Sequence, residues 1–88
     1  MPKVRSTPRF IKAYVKLPAS VREKIDKALL LLAENPRHPS LQTKPIQNSG
    51  GIYEARVDIN FRLTYERLSD DTLLIRYVAK HDDALKNP

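Results

Sequence analysis

Residues Gly51 to Asp82 read GIYEARVDINFRLTYERLSDDTLLIRYVAKHD, and the fold turns on how this stretch alternates. Along an extended chain Tyr53, Ala55 and Val57 point one way with Glu54, Arg56 and Asp58 opposite, and Phe61, Leu63 and Tyr65 repeat the pattern with Arg62, Thr64 and Glu66 opposite. A period of two over successive runs predicts strands at Ile52–Val57 and Phe61–Glu66, joined through Asp58-Ile59-Asn60 in a short hairpin connection. Ser69-Asp70-Asp71 marks a second turn. Leu73 to Ala79 is then apolar at nearly every position, as expected of a strand at Thr72–Lys80 with neighbours on both edges. The stretch delivers Glu54, Arg56, Arg62 and His81, groups suited to phosphodiester chemistry.

Upstream, Lys3–Ser6 suits a short first strand, and Thr7-Pro8 places an N-cap hydroxyl before a proline at the first helical position. Phe10, Ile11, Tyr14 and Leu17 recur at helical spacing up to Pro18. Ser20-Val21-Arg22-Glu23 has the spacing of a capping box and opens a second helix, with Val21, Ile25, Ala28, Leu29 and Leu32 on one stripe and Asn35-Pro36 as its stop. Leu30 and Leu31 widen that stripe, either as further core or as a greasy edge that a partner covers. Pro36 to Gly51 reads as an irregular connection with a short extended piece at Thr43–Ile46. His38, alone in this loop, is expected to be exposed or locally bonded. Residues 82–87 form a terminal helical turn or fray.

At 88 residues and 41% apolar content, the chain has room for one small domain, spanning 1–88. Its longest apolar run, Ala28–Ala33, is far short of the roughly 20 residues that span a membrane, and no signal-peptide core is evident at the N-terminus. A cytoplasmic protein with no membrane partner is expected. Without cysteine, and with two histidines far apart, neither a disulfide framework nor a metal site is expected. Sixteen basic residues against ten acidic give +6, a balance that favours polyanionic partners such as nucleic acid. Residues 1–50 carry ten Lys/Arg and three Asp/Glu, so the excess lies in the half without the candidate strands.

Cross-strand neighbours on one face lie about 5 Å apart, so Arg56 and Arg62 on the polar side of the hairpin place two guanidinium forks within reach of one phosphate. Glu54 on that face holds an arginine or accepts a proton. The same residues also suit a solvated face neutralising itself by ion pairs. His81 brings an imidazole, the commonest proton donor or acceptor in such reactions. Strict alternation from Leu73 through Ile75, Tyr77 and Ala79 sets His81 on their side. It joins the arginines only if the strand ends or bulges near Ala79, or if Leu74 and Val78 are the core-facing set.

The order of elements, Pro8-Arg9-Phe10, Lys16-Leu17-Pro18, Glu34-Asn35-Pro36-Arg37-His38-Pro39, Gly51-Ile52-Tyr53-Glu54-Ala55-Arg56-Val57, Phe61-Arg62-Leu63-Thr64-Tyr65 and Lys80-His81-Asp82 together resemble the RelE/ParE superfamily of toxins from toxin-antitoxin pairs. The resemblance implies an α+β fold in order β-α-α-β-β-β(-β). Two helices pack on one face of a mainly antiparallel twisted sheet whose first strand lies beside its last. For RelE-like members it implies a metal-independent endoribonuclease that cuts messenger RNA in the ribosomal A site, inhibits translation, and is neutralised by a cognate antitoxin. There a 2′-hydroxyl attacks the phosphorus, leaving a 2′,3′-cyclic phosphate and a free 5′-hydroxyl.

Carried over by position, Arg62 would hold the transition-state phosphate, Arg56 would assist and His81 would be the general acid; Glu54 is the candidate base on its own carboxylate chemistry. Lys44, Arg76 and Lys80 are expected to contact RNA, and the +6 charge with the spare leucines Leu30 and Leu31 suits an acidic amphipathic segment of the antitoxin. No cofactor or metal is implied. The sequence departs from the RelE type at Glu54, where that type has lysine, and after Tyr77, where several nucleases place another tyrosine. ParE-like toxins, which inhibit DNA gyrase without cutting nucleic acid, are the alternative, with a non-catalytic nucleic-acid or partner-binding module as a third.

Overall fold

The structure, a computed structural model, describes residues 2–88. Nine elements follow in order: β1 (Lys3–Ser6), α1 (Pro8–Val15), α2 (Ala19–Glu34), a 3-10 turn (Pro39–Leu41), β2 (Lys44–Pro45), β3 (Ile52–Arg56), β4 (Phe61–Leu68), β5 (Thr72–Lys80) and α3 (His81–Lys86). The sheet order is β1-β5-β4-β3-β2, with β1 parallel to β5 and every other pair antiparallel. First and last strands are thus neighbours, and the architecture is the α+β one expected.

One cluster of buried side chains holds the helices to the sheet. Phe10 of α1 and Ile25, Ala28 and Leu32 of α2 pack with Leu41, Ala55, Leu63, Tyr65, Leu73, Ile75 and Val78. The spacing of 25, 28 and 32 follows one helical stripe, and each such burial stabilises the fold by about 1.5–3 kcal/mol for a residue of Leu or Ile size. Ile11 does not join them; it is 48% exposed. The inward stripe of α1 is 10, 13, 14 and 17, because Ala13, Tyr14 and Leu17 pack against the cluster and Ile11 falls a helical step to one side. Leu30 is 66% exposed, whereas Leu31 packs against the core, so the two leucines that widen the α2 stripe separate.

Thr7 caps α1 as its sequence promises, its hydroxyl accepting from the Phe10 N–H at 3.1 Å. The same hydroxyl donates to the Arg76 carbonyl at 2.9 Å, and the Thr7 N–H to that of Ile75 at 3.0 Å. So α1 begins where β1 leaves β5 and continues along that strand. Ser20 does not form a capping box. Helix α2 starts at Ala19 with Pro18 as its N-cap, since the Pro18 carbonyl already accepts from Val21 and Arg22, both at 3.0 Å. His38 is locally bonded: its Nδ1 accepts from the Ser40 N–H at 3.2 Å and caps the 3-10 turn.

The element that decides the site is a bulge in β5. Leu63 pairs with Val78 and Thr64 with Tyr77, but Tyr65 pairs with Ile75, leaving Arg76 as an extra residue. Leu73 and Ile75 before the bulge, and Val78 after it, therefore all face the helices. Tyr77 and Ala79 face the other way. Strict alternation along β5 is broken at Arg76, not at Ala79.

Candidate functional site

In register, Glu54, Arg56, Arg62 and Thr64 share one side of the hairpin, because Glu54 pairs with Thr64 and Arg56 with Arg62 across β3 and β4. It is not a solvated face throughout. Glu54 is only 4% exposed and Thr64 fully buried, since α3 folds back over this side. Ala84 of α3 is buried, Leu85 lines a cavity with Lys44 and Glu54, and the Thr64 hydroxyl donates to the Pro88 carbonyl at 2.9 Å.

Glu54 sits between two cations. Its Oε1 is 3.8 Å from Arg62 Nε and 4.0 Å from Lys44 Nζ, with Lys44 brought alongside by the pairing of β2 to β3. Burying a carboxylate costs several kcal/mol unless charge offsets it, and these two cations supply that offset. Arg62 is further fixed by one guanidinium nitrogen, Nη1, which donates to the Asp58 carbonyl at 2.7 Å and the Phe61 carbonyl at 3.0 Å. Among the described residues its other terminal nitrogen, Nη2, has no hydrogen-bond acceptor. That is the geometry of a guanidinium held in place with one edge uncommitted.

The turn beneath Arg62 is built by Asp58. Its Oδ1 accepts from the Asn60 N–H at 2.8 Å and the Phe61 N–H at 2.7 Å, and its Oδ2 lies 3.4 Å from Lys24 Nζ on α2. Burial works to raise the Asp58 pKa. The two backbone N–H groups and Lys24 outweigh it, leaving the carboxyl below its usual 3.8. A depressed carboxyl adds stability above its unfolded-state pKa and loses it as pH falls through the folded value. Asp58→Ala is expected to cost about 1–3 kcal/mol near neutrality, with the deficit shrinking on acidification below 3.8 as the charged part of the contribution is lost, read from urea midpoints across pH. A deficit constant down to pH 2 would contradict this account.

His81 opens α3, its N–H donating to the Asn60 carbonyl at 2.9 Å. It therefore hangs from the same 58–61 turn that holds Arg62. Two residues beyond Ala79, which pairs with Arg62, it is also in phase with the Arg62 face, a placement that the Arg76 bulge creates. Its ring Nδ1 lies 3.5 Å from Asp82, and the residue lines a groove with Ile59, Asn60, Phe61 and Lys80. Arg56, though opposite Arg62 in register, lines a different cavity of about 300 Å³ with Lys24, Lys27, Leu31 and Leu41, and its Nε is buried without a partner. Arg76 reaches Glu66 at 3.4 Å and the Pro88 carbonyl at 3.2 Å. Glu54, Arg62 and Lys44 thus form one group, His81 and Lys80 adjoin it through the turn, and Arg56 and Arg76 have separate surroundings.

Thr64 and Leu85 belong to the same face and carry no distinctive chemistry in sequence. Thr64 was findable from its alternation with Arg62; Leu85 was not, because only the fold-back of α3 places it there. Among the described residues no three or more His, Asp or Glu side chains gather as a metal site, and no helix is long and apolar enough to cross a membrane.

The fold is shared with solved structures of toxins. The archaeal RelE-RelB complex from Pyrococcus horikoshii OT3 superimposes with a TM-score of 0.74 at 18% identity over 90% of this chain and 93% of the other. YafQ from E. coli strain BL21(DE3) gives 0.72 at 26% identity over 94% and 97%. The intact E. coli RelBE toxin-antitoxin complex gives 0.73 at 22% identity over 91% and 96%. No curated protein sequence is a significant match. Residues 4–85 match the family described as ParE toxin of type II toxin-antitoxin system, parDE, and with that span matched the chain belongs to the RelE/ParE superfamily of type II toxins.

Proposed function

We propose that this toxin is a metal-independent endoribonuclease that cuts messenger RNA in the ribosomal A site, acting as a single cytoplasmic domain over residues 1–88. The observation that carries the reading is the fixed Arg62 guanidinium beside the buried Glu54 carboxylate, with His81 suspended from the same turn. Glu54 takes the proton of the 2′-hydroxyl as its oxygen bonds to phosphorus. The free edge of Arg62, aided by Lys44, meets the charge that grows on the equatorial oxygens, while Arg56, in its own cavity, takes no part in this step. The bond from phosphorus to the 5′-oxygen then breaks, and His81 gives that oxygen its proton. The products are a 2′,3′-cyclic phosphate and a 5′-hydroxyl. Lys44 and Lys80 flank this path as backbone contacts, whereas Arg76, engaged with Glu66 and the Pro88 carbonyl, lies apart from it.

The solved neighbours include toxins in complex with RelB, which supports a cognate antitoxin here also. Its contact is assigned to Leu30, exposed on α2, and Leu31 in the adjoining cleft beside Lys24 and Lys27, a combination that suits an acidic amphipathic segment. The matched family carries the name of ParE, and that observation favours a second reading, inhibition of DNA gyrase without cleavage. Expression of the chain followed by primer extension on cellular messages separates the two. New 5′ ends in translated messages are expected; growth arrest without them sinks the nuclease reading and leaves the gyrase one.

A further inference from the structure

Helix α1 contains no acidic residue, and its two cations share one side with Lys16, its C-cap. Arg9, Lys12 and Lys16, at steps of three and four, line a groove of about 480 Å³ together with Pro8, Ala13 and Tyr77. The Arg9 guanidinium lies over the Tyr77 ring, 3.8 Å from its centroid, and donates in its plane to the Asn87 carbonyl. One flat side of this arginine is thus backed by an aromatic ring and its position fixed, while the residue as a whole remains exposed. Among the described residues none of the three cations is in an ion pair, although Lys24, Lys44, Arg62 and Arg76 all are.

A held guanidinium plane is a stacking platform for an unpaired base, and cations one and two turns further along a helix, spanning about 10 Å from 9 to 16, track a phosphate backbone. From this geometry we infer that the α1 groove is a second nucleic-acid site, separate from the Glu54–Arg62 group, which holds single-stranded RNA by stacking one base on Arg9 and pairing adjoining phosphates with Lys12 and Lys16. The inference rests on the reading of the chain as RNA-directed. It concerns binding alone, not cleavage.

The test is fluorescence anisotropy of a short labelled oligouridine, without ribosomes, across about 50–200 mM salt. Each phosphate neutralised on a single strand contributes about 0.7 to the slope of log K against log salt, so the triple variant Arg9→Gln, Lys12→Gln, Lys16→Gln, which gives up two phosphate contacts and one stacked base, is expected to flatten that slope by about 1.4 and to weaken binding on the order of 100-fold at 0.1 M. Tyr77→Leu is expected to weaken it about tenfold, with Tyr77→Phe close to the parent because the ring remains beneath Arg9. Thermal melts check that each variant is folded. An unchanged slope in the triple variant overturns the site, as does equal affinity for the same oligomer in duplex form with Tyr77→Leu silent. A parent protein that binds RNA through α1 but leaves translated messages uncut sinks the nuclease reading and leaves this inference standing.

Discussion

Arg62→Ala is expected to slow cleavage of ribosome-bound message about 100- to 1000-fold, the loss that follows removal of one prepositioned donor to a developing oxyanion. Its Nη1 is spent on the Asp58 and Phe61 carbonyls, so the substitution also loosens the turn, at about 1–3 kcal/mol. The two effects separate by measurement. Single-turnover cleavage on programmed ribosomes reads the first, and urea unfolding the second. Arg62→Lys retains a charge near Glu54 but not the fork that spans two carbonyls and a phosphate, so it is expected to recover only part of the rate. Should Arg62→Ala cleave at the parent rate, Arg62 has no part in the chemistry.

The largest effect on stability is expected at Leu63. It is fully buried, faces the helices between Ala55 on β3 and Val78 on β5, and has no route by which solvent can fill the space it leaves. Leu63→Ala should cost about 2–5 kcal/mol. For a chain of this size the whole stability is about 5–15 kcal/mol, so a large share of it goes. The measurement is the urea midpoint at constant slope; a shift worth under about 1 kcal/mol would mean that the sheet collapses onto the gap. Both neighbours of Leu63 in sequence, Arg62 and Thr64, belong to the opposite face, so the variant also tests how firmly the core holds the site in place.

Much of this was legible because it is local. The hairpin of β3 and β4 declares itself by a period of two, and Thr7-Pro8 by its own capping chemistry. What escaped depends on partners distant in sequence. Ser20 has the right spacing for a cap but is overruled by Pro18, whose fixed φ and free carbonyl start the helix earlier. Ile11 is as apolar as its neighbours, and only the angle at which α1 meets the core decides that it faces out. Glu54 alternates like a solvated residue and is buried because residues 81–88 return across it. The phase of His81 was open in sequence for the same reason: a bulge is a property of two strands in register, and a single strand does not display it.

That bulge bears on how relatives of this chain should be compared. Since Leu63–Val78 and Tyr65–Ile75 are both regular pairs, removing Arg76 would restore a plain ladder without turning any later side chain over. A relative one residue shorter in this strand can therefore present the same end to its substrate. Matching such a pair by position from the start of the strand would set His81 against the wrong neighbour. Counting backwards from the end of the strand would set it correctly. A deletion at Arg76 is thus a length change that the sheet absorbs, with Ala79 still opposite Arg62 and the strand end unmoved.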